Sequence, residues 1–310
     1  GTATSGTVTV SNAAAISGSG SEVTAALITA DTKVVLGAAG TPVTVSNAVS
    51  AEHGASIADV SNTTAAFSGG IQDNQANLVD SGSITANLTT VKNEDGDVVI
   101  TIDNEAGTAM NASDLSAIGT ATSGTVTVSN AAAISGTTAQ VTAALVTADT
   151  LVVAGTSNVA ISDTPTDAQL TAIDAATTGS ITVGGGGGDV TVTEPSVTAS
   201  YLNTLDNYTS GTVNASAVTT LSGTVSAVNL AYSSNGITGL ANEDVTLSDS
   251  TITAANLNTL NSNTTGNINA FTVATITGTA SATNIVYASA SDSGNGISNL
   301  GDEAITLSES

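Results

Sequence analysis

The chain of 310 residues sets 26 Asp and Glu against 2 Lys and no Arg, a formal charge of −24, and is 40% hydrophobic with only 2% aromatics. That aliphatic content excludes a charged disordered tail, and Lys33 and Lys92 alone cannot neutralise a phosphate backbone, so nucleic acid and anionic membrane surfaces are excluded as partners. The absence of Cys removes disulfides, thiolate nucleophiles and Cys zinc sites together.

In chain order, the first element lies between Gly6 and Gly18, where Val8, Val10, Ala13 and Ile16 are apolar. Steps of two, three and three fit neither a single strand nor a helix face. They predict a short strand, a corner and a second short strand closed by a turn glycine. The same element recurs at Gly124–Gly136, Gly211–Gly223 and Gly266–Gly278. Pieces led by Thr166, Thr198 and Thr253 place Ala and Leu behind a hydroxyl residue, which predicts a capped helical turn or two docked on the strands. No apolar run approaches the ~18–20 residues that span a bilayer, and no charged segment with an apolar core opens this stretch as a signal peptide would.

Self-similarity organises the rest. Residues 1–18 recur unchanged at 119–136, which defines a repeat block at 1–36 and a second copy at 119–164, with divergent repeats or an insertion at 37–118. A different repeat fills 165–250 and its next copy 251–310: Tyr201–Tyr232 aligns with Asn256–Tyr287, and Asn235–Ser250 with Asn295–Ser310, apart from an insertion near Ser289–Ser293. Repeats of this kind predict a mainly β, elongated solenoid of β-helix-like rungs with short helical turns, each rung roughly 18–20 residues long. About 15–17 such rungs would make a rod on the order of 75 Å. The alternative is a series of tandem β-sandwiches, which calls for ~100-residue units with a large buried aromatic. Both ends resemble cuts through a longer array.

Chemistry is sparse. His53 is the only imidazole, with no second His or Cys to join it, and reads as a surface or loop residue. No G-x-S-x-G elbow is present, so no enzyme is expected. Oxygen ligands gather beside a turn glycine in Asn93-Glu94-Asp95-Gly96-Asp97, followed by Asp103 and Glu105. Asp95, Asp97, Asp103 and Glu105 are the candidate calcium ligands, although the spacing of an EF-hand loop is not met. Gly184–Gly188 followed by Asp189 gives a weaker match to a calcium nonapeptide. Glu243/Asp244 and Asp302/Glu303 mark equivalent repeat loops, and Tyr232 and Tyr287 mark recurring core or stacking positions.

The motif L-N-x-L-[DN]-x-x-T-[TS]-G-x-[VI]-N-A from Leu202 and Leu257, followed by [LI]-[ST]-G-T and G-I-[TS]-x-L, resembles long repeat arrays in secreted or surface proteins of marine bacteria, cyanobacteria above all, and of some of their phages. The resemblance covers 165–310 best. It implies a large, acidic, extracellular or cell-surface protein without catalytic residues, in some cases associated with calcium. The expected function is therefore a non-enzymatic structural protein that self-associates into a filament, sheath, surface layer or adhesin stalk. The alternative is a binding module, such as a phage fibre or an adhesin segment that recognises a surface glycan.

Overall fold

The computed structural model describes residues 6–12, 14–29, 34–147, 152–290 and 296–308; Ala13, Lys33 and residues 291–293, named above, lie outside them. Two compact units divide the chain, 1–160 with 171–181 and 161–170 with 182–310.

The mainly β expectation is overturned, and the sandwich alternative with it. Strands alternate with helices, and the strands pair in parallel, which makes the fold α/β. Among the described strand pairs only Val79–Asp80 with Ser83–Ile84 is antiparallel. Parallel neighbours need a crossover long enough to return the chain to the same end of the sheet, and a helix is the usual solution. The Thr-led pieces supply it. They are longer than a turn or two: Ala199–Tyr208 and Ala254–Asn263 each hold 10 residues. Thr198 and Thr253 cap them, their hydroxyls accepting from the backbone N–H of Tyr201 at 3.0 Å and of Asn256 at 3.2 Å. Inserting such a helix lengthens each coil. Val197, Leu221 and Val245 stack at steps of 24 residues (197 to 221, 221 to 245), against the shorter rung expected.

Within the first unit, Val8–Val10 pairs with Val34–Leu36. Ile16–Gly18 pairs with Thr41–Val45, which pairs with Thr63–Ala66. A further sheet runs Ile71–Asp73, Ile100–Ile102, Val126–Val128 and Val152–Val153 in spatial order. The strand–corner–strand reading of the repeated element holds here, as Val126–Val128 and Ala133–Gly136, and in the second unit as Val213–Asn214 and Thr220–Gly223.

In the second unit three columns of strands rise side by side. Val190–Thr191, Val213–Asn214 and Ile237–Thr238 form one. Ser196–Thr198, Thr220–Gly223, Asp244–Leu247, Ile268–Asn269 and Ile297–Ser298 form the next, and Thr251–Thr253, Thr275–Gly278 and Ala304–Leu307 the third. Asp244–Leu247 belongs to two repeats at once. It closes one as the partner of Thr220–Gly223 and opens the following one as the base for Ile268–Asn269. Each copy of the repeat is thereby shifted sideways by one column.

The interior is aliphatic. Val213, Leu221, Val245, Ile268 and Ile276 from the strands meet Leu202, Leu205, Leu257 and Leu260 from the helices, all fully buried. β-branched residues suit the strand positions, and Leu suits the inward stripe of a helix. Among the described residues Tyr201 is the one bulky aromatic sealed in the second unit, its hydroxyl donating to the Pro165 carbonyl.

Candidate functional site

Polar chemistry in this chain is concentrated where one coil meets the next. The Thr-[Ser/Thr]-Gly step of the repeat motif is a clamp. Thr264 donates its hydroxyl to the Glu243 carbonyl at 2.7 Å and accepts from the Gly266 N–H at 2.9 Å. Thr122 does the same toward the Val98 carbonyl at 2.7 Å and the Gly124 N–H at 2.9 Å. Thr177 and Thr209 repeat the pattern toward the Ser157 and Gly188 carbonyls. The glycine is sterically required, since a Cβ on Gly266 would stand 2.2 Å from the Glu243 carbonyl oxygen.

The Asn of L-N-x-L is a second fastening. Asn203 and Asn258 donate from Nδ2 to the Ala227 and Ala282 carbonyls of the next helix, at 3.0 and 2.9 Å. A third joins Tyr to Glu. Tyr232 donates to Glu243 Oε2 at 2.7 Å, and Glu243 also accepts from the Ala241 N–H. Tyr287 donates to Glu303 Oε2 at 2.9 Å, and Glu303 accepts from the Gly301 N–H. Burial above all, then the Glu, raises both phenols, Tyr287 to about 12 and Tyr232 further. In the aligned loops Glu243 matches Glu303, while Asp244 stands opposite Ala304, so the glutamate is the repeated partner and the adjacent aspartate is not.

The other residues singled out from sequence are placed as follows. His53 lies in the helix Ala51–Ala58, half-buried, with Nε2 2.6 Å from the Thr24 hydroxyl, rather than in a loop. Asp95 caps the helix Ala86–Glu94 and accepts from the Phe67 N–H at 2.6 Å. Partial burial raises its pKa against that bond, and Asp97 adds to the rise. Asp103 accepts from Gln72 at 3.3 Å, and the Glu105 carbonyl closes a turn with the Thr108 N–H. Among the described residues no three His, Asp or Glu side chains gather as a metal site. Asp189 Oδ1 accepts from the Thr212 N–H at 2.7 Å and from its hydroxyl at 3.0 Å, which lowers its pKa. Asp244 repeats that link to the Asn267 N–H, so Asp189 also joins coils.

What the sequence did not signal is how differently the two copies of one strand are covered. The strand Ala304–Leu307 is exposed at every residue, whereas its equivalent Asp244–Leu247 buries Val245 and Leu247. Ile305 is 40% exposed against 0% for Val245, and Leu307 58% against 1% for Leu247. Next to Ala304–Leu307 lies a cleft of about 490 Å³ lined by Phe271, Val273, Leu300, Asp302 and Glu303. In the earlier copy the Thr264-Thr265 turn occupies that position, with the Thr265 N–H donating to the Ala241 carbonyl at 2.9 Å. Among the described residues no helix is long and apolar enough to cross a membrane.

No protein-family model, curated protein or solved structure matches the chain.

Proposed function

We propose that the chain is a non-enzymatic structural protein of the cell exterior, whose stacked strand–helix repeats build a filament, sheath, surface layer or adhesin stalk. The observation that carries this reading is the clamp at Thr122, Thr177, Thr209 and Thr264, which devotes the recurrent motif to joining one coil to the next. The scarcity of basic residues fits exposed life, since only Lys33 and Lys92 offer trypsin a cleavage site. Negative-stain electron microscopy of the purified chain, with calcium and with chelator, tests the proposal. Filaments or sheets that survive chelation support it, and compact particles without association under both conditions count against it.

A second reading, a segment that recognises a surface glycan, is favoured by one residue. Phe271 is 79% exposed at the rim of the acidic cleft, where its repeat equivalent is Ser216. An aromatic face beside carboxylates and Asn299 offers stacking together with hydrogen-bond acceptors. Loss of glycan-array binding in Phe271→Ala would support this reading, and an array without signal for the native chain would remove it.

A further inference from the structure

We propose that the outer face of the four helices Ala199–Tyr208, Val225–Ser233, Ala254–Asn263 and Ala280–Ala290 docks against the same face of a second copy of this chain. The inference rests on the scaffold reading above and names one of its contacts.

The four helices pack side by side in chain order, and asparagines fasten each to the next. Asn203 donates to the Ala227 carbonyl at 3.0 Å, Asn229 to the Asn256 carbonyl at 3.0 Å, and Asn258 to the Ala282 carbonyl at 2.9 Å. The side turned away from the strands alternates between hydroxyl and apolar residues. At one level along successive helices stand Thr204, Leu230, Thr259 and Ile285, each the sixth residue of its helix. Leu230 is 58% exposed and Ile285 55%. Leu230 is this open with a packed helix on either side, so the outward direction of the position exposes it. The hydroxyls around it already donate within their own helices. Thr204 bonds the Ser200 carbonyl at 2.8 Å, Ser233 the Leu230 carbonyl at 3.0 Å, Thr259 the Ala255 carbonyl at 3.0 Å and Ser262 the Thr259 carbonyl at 2.7 Å. Covering the face therefore leaves none of these donors unpaired, which removes the usual cost of burying them.

Charge names the occupant. Glu22, Glu52, Glu94, Asp114 and Asp174 put acids on other helices. Residues 225–233, 254–263 and 280–290 contain no Asp, Glu, Lys or Arg, and Asp206 of the first helix accepts from the Ser234 hydroxyl at 2.7 Å. A basic partner would be drawn to the acids elsewhere and find nothing here to hold it. A copy of the same chain carries −24 of its own, and through this face it can approach without acid meeting acid. Depletion of charge around an apolar centre is also the compositional mark of a protein interface.

The alternation sets the register. A twofold axis along the helices, between the second and the third, seats Leu230 of each copy on Thr259 of the other and Ile285 on Thr204, large against small throughout. An axis across the helices would instead set Leu230 on Leu230 and hold the threonines apart. The contact closes on two copies, so it pairs copies side by side and leaves longer growth to other surfaces. Repulsion between the acids elsewhere should make pairing strengthen as salt screens it.

The test uses the full chain, which has no Cys of its own. Leu230→Cys and Thr259→Cys place thiols at exposed positions that the register brings within reach of a disulfide. Under mild oxidation at raised salt, the mixture should give a covalent dimer of one copy of each variant, well above the yield from either alone. Leu230→Cys dimers formed without the second variant overturn the register. Leu230→Asp and Ile285→Asp, checked for native circular dichroism, should each lower the sedimenting mass from pair to single chain, whereas Phe271→Ser, at an exposed aromatic off this face, should leave it unchanged. Filaments or pairs that persist in both Asp variants overturn this interface and leave the scaffold reading in place. A native chain that stays monomeric across salt and concentration overturns both. One that does so yet floats with phosphatidylcholine vesicles, and loses that in Leu230→Asp, assigns the face to a lipid surface instead.

Discussion

Residues 243–247 and 303–307 are two copies of one segment, Glu-Asp-Val-Thr-Leu and Glu-Ala-Ile-Thr-Leu, with equivalent inner neighbours, and among the described residues only the first has an outer strand. In the earlier copy a further coil covers the strand, and Glu243, Val245 and Leu247 are buried. In the later copy Glu303 is half-exposed and Ile305 and Leu307 lie open. Burial at these positions is therefore set by the next coil and not by the segment's own sequence. Stability in such an array is mostly a sum of nearest-neighbour interfaces, and the two copies show one position with and without its neighbour.

The largest effect should come from truncating the covered side chain. Leu247→Ala should destabilise the second unit by about 2–5 kcal/mol, the range for a buried Leu that leaves a cavity. Leu307→Ala should cost less than about 0.5 kcal/mol in the monomer, as substitutions at open positions do. Urea unfolding of the two variants, monitored by circular dichroism, measures the contrast. Equal losses would mean that Leu307 is covered in solution.

Next in size is the clamp that binds the covering coil. Thr264→Val keeps the shape but leaves the buried Glu243 carbonyl and the Gly266 N–H without the hydroxyl, which should cost about 1–3 kcal/mol. The same substitution at exposed Thr265, one residue on, should fall within about 0.5 kcal/mol. Amide exchange at Val245 separates the two, because loss of the clamp should speed exchange of the N–H that the coil protects.

The strand–corner–strand element was legible in sequence because its β-branched pairs lie between turn glycines, and it appears at Val126–Val128 and Ala133–Gly136 as read. The helices were half-legible. Thr198 and Thr253 announced their caps, but Ser, Asn and Thr inside Ala-Ser-Tyr-Leu-Asn-Thr-Leu-Asp-Asn-Tyr lower the intrinsic helix preference, and so the segment read as a turn. Docking of Leu202 and Leu205 against the strands overrides that preference. With the helix underestimated, the rung came out too short and the fold class with it. The clamp stood in the motif as Thr-[Ser/Thr]-Gly, yet the part played by its hydroxyl depends on the carbonyl of another coil, which no local pattern displays. The unequal cover of 243–247 and 303–307 was illegible for the same reason, because the residues that cover a segment lie a coil away.

The smallest effect is also the most direct readout of coverage in the native chain. Tyr232 and Tyr287 make the same bond to equivalent glutamates, Glu243 and Glu303, so their phenols differ chiefly in burial. Both are raised from the ordinary value of 10.0, Tyr287 to about 12 and Tyr232 beyond it. A raised acid keeps its proton in the folded state after the unfolded chain has lost it. The stabilisation is thus complete below pH 10.0, declines as pH rises above it, and for Tyr287 is gone once pH passes about 12. Phenolate absorbance against pH, with Tyr232→Phe and Tyr287→Phe to assign the signals, should show Tyr287 ionising first. Two phenols that ionise together would show that Glu243 and Glu303 are equally covered in solution.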